Sequence, residues 1–183
     1  LSTDVTQLGY YTRFGFPVYE PRTWLAPGYQ ATLGYGYPAA LGAKLAMPER
    51  KVIAVCGDGG FMFTSQELAT AVHHNIPVVC VVVDNSAYGN VKTIQKQSFG
   101  ARHIAVDLSN PDFVAMAQSF GMEAGRADNA AQFEALLTRY IALEKPTLIH
   151  VPMGEVPSIW DFVKRPPSQG RAITAAPMED AVT

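Results

Sequence analysis

The run "IPVVCVVVDN", residues 76–85, is apolar at almost every position. A strand with one wetted face alternates apolar and polar residues. A strand that is apolar on both faces has to be covered by helices on both sides, which is the situation of a central strand in a parallel sheet. The rest of the chain agrees with that restriction. "LSTDV" reads as a short strand and "QLGYYTRFG" as a short helix, followed by a loop rich in Pro and aromatics, "FPVYEPRTWLAPG". "LGYGYPAALGAKLAMPE" reads as a small-residue helix able to pack closely on a sheet, and "KVIAVCG" as a strand. "TSQELATAVHHN" reads as a helix, with Thr64 and Glu67 spaced as a capping box. "NPDFVAMAQSFG" has Asn and Pro where a helix starts and Gly where it stops. "MEAGRA" is a short strand, "NAAQFEALLTRYIALEK" an amphipathic helix and "PTLIHVPM" a last strand. Strand and helix alternate over short connections, so the expected fold class is α/β, a doubly wound parallel sheet flanked by helices.

The chain has 183 residues, is 48% hydrophobic and carries a formal net charge of −2. That suits one domain, expected over residues 1–163, with residues 164–183, rich in Pro and Ala, expected to be a mobile tail. The absence of a basic block argues against nucleic-acid or membrane-surface binding, and no apolar run approaches the roughly 20 residues of a membrane span. Cys56 and Cys80 both lie in apolar strands, as buried free thiols rather than a disulfide or metal framework. No signal peptide is visible, and the expected location is cytoplasmic.

Ligands of open parallel sheets bind outside the carboxyl ends of the strands. Two such ends carry unusual chemistry: "GDGG" at 57–60 and "DNSAYGN" at 84–90. Asp58 offers a carboxylate oxygen and Asn85 an amide oxygen, hard donors that suit Mg²⁺ or Ca²⁺ rather than zinc. Gly57, Gly59 and Gly60 leave the backbone bare at the start of a helix, where free N–H groups and the helix dipole attract phosphate. A lone Gly-Asp-Gly is a common turn, and it lacks the dinucleotide fingerprint, since Phe61 and Met62 follow it. The pairing with an Asn at the next strand end turns the reading toward a metal-bridged diphosphate site.

"GDGG" followed by "DN" across one helix and strand resembles the thiamine-diphosphate signature of the acetolactate synthase and pyruvate decarboxylase superfamily. "WLAPGYQATLGYGYPAALGAKLA" and "SQELATAVHHNIPVVCVVVDNSAYG" are similar to the segments around that signature in acetolactate synthase large subunits, and "STDVTQ" resembles the strand end that opens their C-terminal domain. The likeness runs to about residue 152. It implies the cofactors thiamine diphosphate and Mg²⁺, with Asp58 and Asn85 binding the metal by side chain and Ala87 by its carbonyl. Gly59, Gly60, Tyr88, Gly89 and Asn90 would line the diphosphate, and Thr6 and Gln7 would reach it from the first strand end. Leu33 would be the apolar wedge under the thiazolium, with the backbone from Ala31 through Thr32 to Leu33 holding the aminopyrimidine. Such a bent cofactor brings its own base against the reacting carbon, a proximity effect.

The resemblance further implies that no catalytic residue lies in this chain. The activating glutamate is expected on a pyrimidine-binding domain of the same or a second chain, in a homodimer or homotetramer acting on a small 2-oxo acid. Middle and pyrimidine-binding domains are absent from these residues, and whether FAD is bound by them is left open. The family's Gly-Leu-Gly-Thr-Met stands as "YQATL" here, and its Gln-His-Leu-Gly-Met as "SAYGN", so that Asn90 replaces a Met. These departures bear on the substrate rather than the cofactor. The expected activity is decarboxylation of a 2-oxo acid with transfer of the acyl-carbanion equivalent. The alternatives are a simple decarboxylase and a non-catalytic Mg²⁺–diphosphate-binding module. His73 and His74, adjacent on a helix, are not a metal pair, and His103 and His150 have no partner at a recognisable spacing.

Overall fold

The computed structural model describes residues 1–159 and 162–163. The tail expected at 164–183 lies outside the described residues. The elements run β1 (Ser2–Thr3), α1 (Gln7–Gly15), α2 (Gly36–Ala46), β2 (Val52–Gly57), α3 (Asp58–Phe61), α4 (Glu67–His73), β3 (Val78–Asp84), α5 (Gly89–Ser98), α6 (Phe113–Ser119), β4 (Glu123–Arg126), α7 (Ala130–Ala142) and β5 (Thr147–Pro152). The strands form one sheet in the order β1-β2-β3-β5-β4, with every pair parallel. This is the doubly wound α/β sheet that the run at 76–85 predicts.

Residue alternation along β3 shows why that run has to be apolar throughout. Val78, Cys80 and Val82 enter a core with Tyr37, Leu41, Phe61, Leu68 and Phe113, on the face covered by α2, α3, α4 and α6. Val79 and Val81 enter a second core with Ile149 and Tyr140, into which Phe133, Leu136 and Leu137 of α7 pack. Each fully buried side chain of this size contributes about 1.5–3 kcal/mol, so β3 is stabilised from both faces. Cys56 and Cys80 are free and buried, as expected. Among the described residues no helix is long and apolar enough to cross a membrane.

Local signals differ from the structure where side chains have longer-range partners. The Thr64–Glu67 capping box does not form: α4 begins at Glu67 without a side-chain cap. The Thr64 hydroxyl donates instead to the Gly34 carbonyl at 3.1 Å, and Glu67 accepts from the Thr70 hydroxyl at 2.8 Å. The helix expected from Asn110 starts at Phe113, where Asp112 is the cap and accepts from the N–H groups of Val114 and Ala115 at 2.9 and 3.0 Å. Asn110 is thereby released for another task. Helices α3 and α5 are additional elements that the sequence pattern does not announce; both begin at glycine-containing turns on the carboxyl edge of the sheet.

The end of β1 is fixed by a buried carboxylate. Asp4 is 2% exposed and accepts from the N–H groups of Val5 at 2.6 Å, Gly34 at 3.2 Å and Gly36 at 3.2 Å. It ties the loop before α2, which carries Leu33, to the sheet edge. Burial raises the Asp4 pKa, opposed by the bonds from Gly36, Val5 and Gly34. In Asp4→Ala these donors lose their acceptor, at a cost of about 1–3 kcal/mol for a buried unsatisfied group. Hydrogen exchange of the complete polypeptide should then show the Gly34 and Gly36 amides exchanging at least about tenfold faster. Unchanged protection would mean the loop is held by other contacts.

Candidate functional site

In the parallel ladder Gly57 of β2 faces Val83 of β3, so the two chains leave the sheet together. Asp58 and Asp84 follow at the same level, and Asn85 one residue beyond. A cavity of about 210 Å³ opens there, between the β2 and β3 ends, the start of α1 and the start of α5. Thr6, Gln7, Ala31, Leu33, Gly57, Asp58, Gly59, Gly60, Asn85, Ala87, Tyr88, Gly89 and Asn90 all border it. Thr32 does not. It is exposed, beyond the turn at Ala31, whose φ of 47° and N–H bond to the Gly28 carbonyl reverse the chain.

The hydrogen bonds divide labour among the polar groups. The Asn85 amide donates to Gln7 Oε1 at 3.0 Å, which leaves the Asn85 carbonyl oxygen for the cavity. Gln7 in turn donates to the Val156 carbonyl at 3.4 Å. In this structure Gln7 therefore orients Asn85. Tyr88 N–H bonds the Val106 carbonyl and Leu108 N–H the Ser86 carbonyl, bracketing a bridge between Ala87 and Asp107. In such a wide pair the bracketed residue's own carbonyl points away from the partner segment. Gly59 and Gly60 belong to α3, a helix of only four residues, whose weak dipole gives little help to an anion. The start of α5 is better suited: this ten-residue helix has no side-chain cap and no acidic residue in its first turn, and Gly89 and Asn90 border the cavity.

Three residues that the sequence reading passed over complete the edge. Asn110 Nδ2 donates to Asp58 Oδ2 at 2.7 Å and to Asp84 Oδ1 at 2.8 Å. His150, from β5, lies 3.0 Å from Asp84 Oδ2 through Nε2, so it has a partner that no sequence spacing reveals. Asp84 Oδ1 also accepts the Ser86 N–H at 2.9 Å, and Ser86 takes a positive φ of 52° in the turn that presents Asn85. Burial pushes Asp84 up, but the bonds from Ser86, His150 and Asn110 outweigh it and hold its pKa low. Asp58 goes the other way: burial raises it more than the bonds from Asn110 and Gly59 lower it. An Asp standing immediately before Asn85 was the one signal in the sequence that could have drawn attention to Asp84.

Two glycines of the site sit close against side chains. A Cβ on Gly59 would lie 2.5 Å from Tyr88 Cε1. A Cβ on Gly89 would collide with Gln7 Oε1 and come within 2.9 Å of Asn85 Nδ2.

The family model for the "Thiamine pyrophosphate enzyme, C-terminal TPP binding domain" matches residues 4–151. The chain belongs to this family. It is 40% identical over 152 residues to a "Probable acetolactate synthase large subunit" of Methanocaldococcus jannaschii, covering 82% of this chain and 26% of that protein. It is 36% identical over 166 residues to the acetolactate synthase isozyme 1 large subunit of Escherichia coli, covering 89% of this chain and 29% of that one. Among solved structures, the thiamine diphosphate-dependent 4-hydroxybenzoylformate decarboxylase of Rhodococcus jostii RHA1 superposes with a TM-score of 0.69 at 32% identity, over 74% of this chain and 25% of that chain. The matched region thus spans only 25–29% of the length of these relatives. Its family cofactor is thiamine diphosphate.

The donor set fits the metal that usually accompanies that cofactor. Asp58, Asn85 and the Ala87 carbonyl are all hard oxygens, and three protein ligands leave an octahedron room for phosphate oxygens and water. In Gly89→Ala the new methyl would break the Asn85–Gln7 bond and let the amide turn. Calorimetry on the complete enzyme should show thiamine diphosphate affinity falling at least about tenfold, within the range seen when groups behind metal ligands are lost. Wild-type affinity in this variant would remove Gln7 and Asn85 from the site.

Proposed function

We propose that this domain supplies the diphosphate half of the active site of a thiamine-diphosphate-dependent enzyme that decarboxylates a small 2-oxo acid and transfers the acyl-carbanion equivalent. The observation that carries the reading is the pairing of Asp58 and Asn85 on adjacent parallel strand ends beside the uncapped start of α5. The relatives support the reaction class. The Rhodococcus protein is a 4-hydroxybenzoylformate decarboxylase, and a "Probable 2-ketoarginine decarboxylase" of Pseudomonas aeruginosa is 36% identical over 152 residues. Both names describe 2-oxo acids losing CO₂.

When bound, thiamine diphosphate would supply a carbon nucleophile and an electron sink for the bond pair left behind when CO₂ departs. This chain's own residues do the holding. Asp58, Asn85 and Ala87 would bind Mg²⁺, and the amides at Gly89 and Asn90 would face the diphosphate. Thr6 and Gln7 close the side nearest α1, with the Thr6 hydroxyl lying against Gly57. Leu33, half-buried on the loop tied down by Asp4, would hold the cofactor bent. The side chains of Asn90 and Val91 also border the cavity and would help to select the acid. The pyrimidine half would be completed by the domain that carries the activating glutamate, in a homodimer or homotetramer.

Two variants test this in the complete enzyme. Diphosphate and a carboxylate repel without a cation between them, so Asp58→Ala should abolish Mg²⁺-dependent binding of thiamine diphosphate by calorimetry. Unchanged affinity would refute the metal assignment.

Leu33→Ala should lower kcat more than it weakens cofactor binding, because the diphosphate anchor lies elsewhere. Circular dichroism would first establish that the variant is folded. Full turnover at cofactor saturation would exclude the wedge role.

A further inference from the structure

We infer that Asn110 is a positioning residue for the metal ligand Asp58: a clasp that spends its side-chain amide on two carboxylates and thereby fixes the direction in which Asp58 meets a divalent cation. The inference rests on the reading of Asp58 as a metal ligand given above.

The amide nitrogen of Asn has two hydrogens, and here it has two acceptors, Asp58 Oδ2 at 2.7 Å and Asp84 Oδ1 at 2.8 Å. Asp58 directly follows β2 and Asp84 ends the neighbouring β3, so two negative groups meet at a nearly buried edge. Charge-assisted bonds to a shared donor offset that repulsion and immobilise both carboxylates. With Oδ2 of Asp58 engaged, Oδ1 is the oxygen left for a cation.

Asn110 is itself held from both directions along the chain. Two residues before it, Leu108 N–H bonds the Ser86 carbonyl at 2.8 Å, in the same turn that presents Asn85. Three residues after it, Phe113 is fully buried, with its ring centroid 5.8 Å from that of Phe61 and 5.3 Å from that of His150. Asp112 caps α6, so Asn110 is not consumed by the helix start. The far carboxylate oxygen of Asp84 is secured by His150 at 3.0 Å. The result is one continuous line, His150 to Asp84 to Asn110 to Asp58, running from β5 to the cavity.

A clasp of this kind matters most to an ion with strict geometry. Mg²⁺ demands near-ideal octahedral coordination at about 2.0–2.1 Å, whereas Ca²⁺ accepts irregular and bidentate carboxylates. Loosening Asp58 should therefore harm Mg²⁺ more than Ca²⁺. A residue that merely stabilised the fold would harm both alike.

The experiment is calorimetric binding of thiamine diphosphate to the complete enzyme at varied Mg²⁺ or Ca²⁺, with circular dichroism as the check on folding. In Asn110→Ala the Mg²⁺ half-saturation should rise about 10–100-fold, the usual effect of removing a group behind a metal ligand. The Ca²⁺ half-saturation should move less than about threefold. Asn110→Gln keeps the amide one methylene further out and should show the same selective loss at smaller size, about threefold or more for Mg²⁺, so it decides the matter if the alanine variant does not fold. An unchanged Mg²⁺ half-saturation, or an equal loss for both cations, overturns the positioning role while leaving Asp58 as ligand. If the wild-type enzyme shows no metal-dependent cofactor binding, the failure is that of the metal site itself.

Discussion

The parallel register of β2 on β3 is the constraint from which the rest of the molecule follows. Gly57 opposite Val83 sends both chains out of the same edge at the same height. A slip of one residue would turn Val78, Cys80 and Val82 out of the larger core and move Asp58 away from Asp84. Burial on both faces of β3 thus enforces the register that builds the site.

That edge carries three carboxylates, each buried or nearly so and each neutralised differently. Asp4 faces three backbone N–H groups and serves as an anchor for the loop before α2. Asp84 receives bonds from Asn110, Ser86 and His150 and is held in its charged form. Asp58 receives less, and burial leaves its charge the least compensated of the pair. A divalent cation in the cavity would supply what Asp58 lacks and would bring the diphosphate with it. The asymmetry between two adjacent Asp residues is therefore a consequence of which donors the topology delivers to each.

Much of this was legible in the sequence because it is local or periodic. An apolar run over 76–85 implies a central strand, and the bare "GDGG" and "DNSAYGN" turns stand at strand ends whatever the details of packing. What escaped depends on distant partners. His150 meets Asp84 across 66 positions, and Asn110 meets Asp58 across 52. Thr64 matches a capping box in spacing, yet its hydroxyl is taken by Gly34, 30 positions earlier. For Asn110 and Thr64 a short-range capping preference worth about 1 kcal/mol competes with a tertiary contact, and the sequence displays only the first competitor.

The same competition explains why the helix start at 110–113 was misplaced by a few residues. Asn and Asp are both good caps, and Pro111 would stand at the first helical position after Asn110, whereas with Asp112 as the cap it lies just before the helix. The Asp112 carboxylate accepts two backbone N–H groups at once and needs no donor of its own in that position. Two facing carboxylates at 58 and 84, by contrast, need a donor with two hydrogens, which Asn supplies and Asp does not. Interchanging the two residues would leave a serviceable cap at the helix and place a third negative group between Asp58 and Asp84. The order Asn-Pro-Asp is thus accounted for by the acceptor demand at α6 and the donor demand at the sheet edge taken together, and by neither alone.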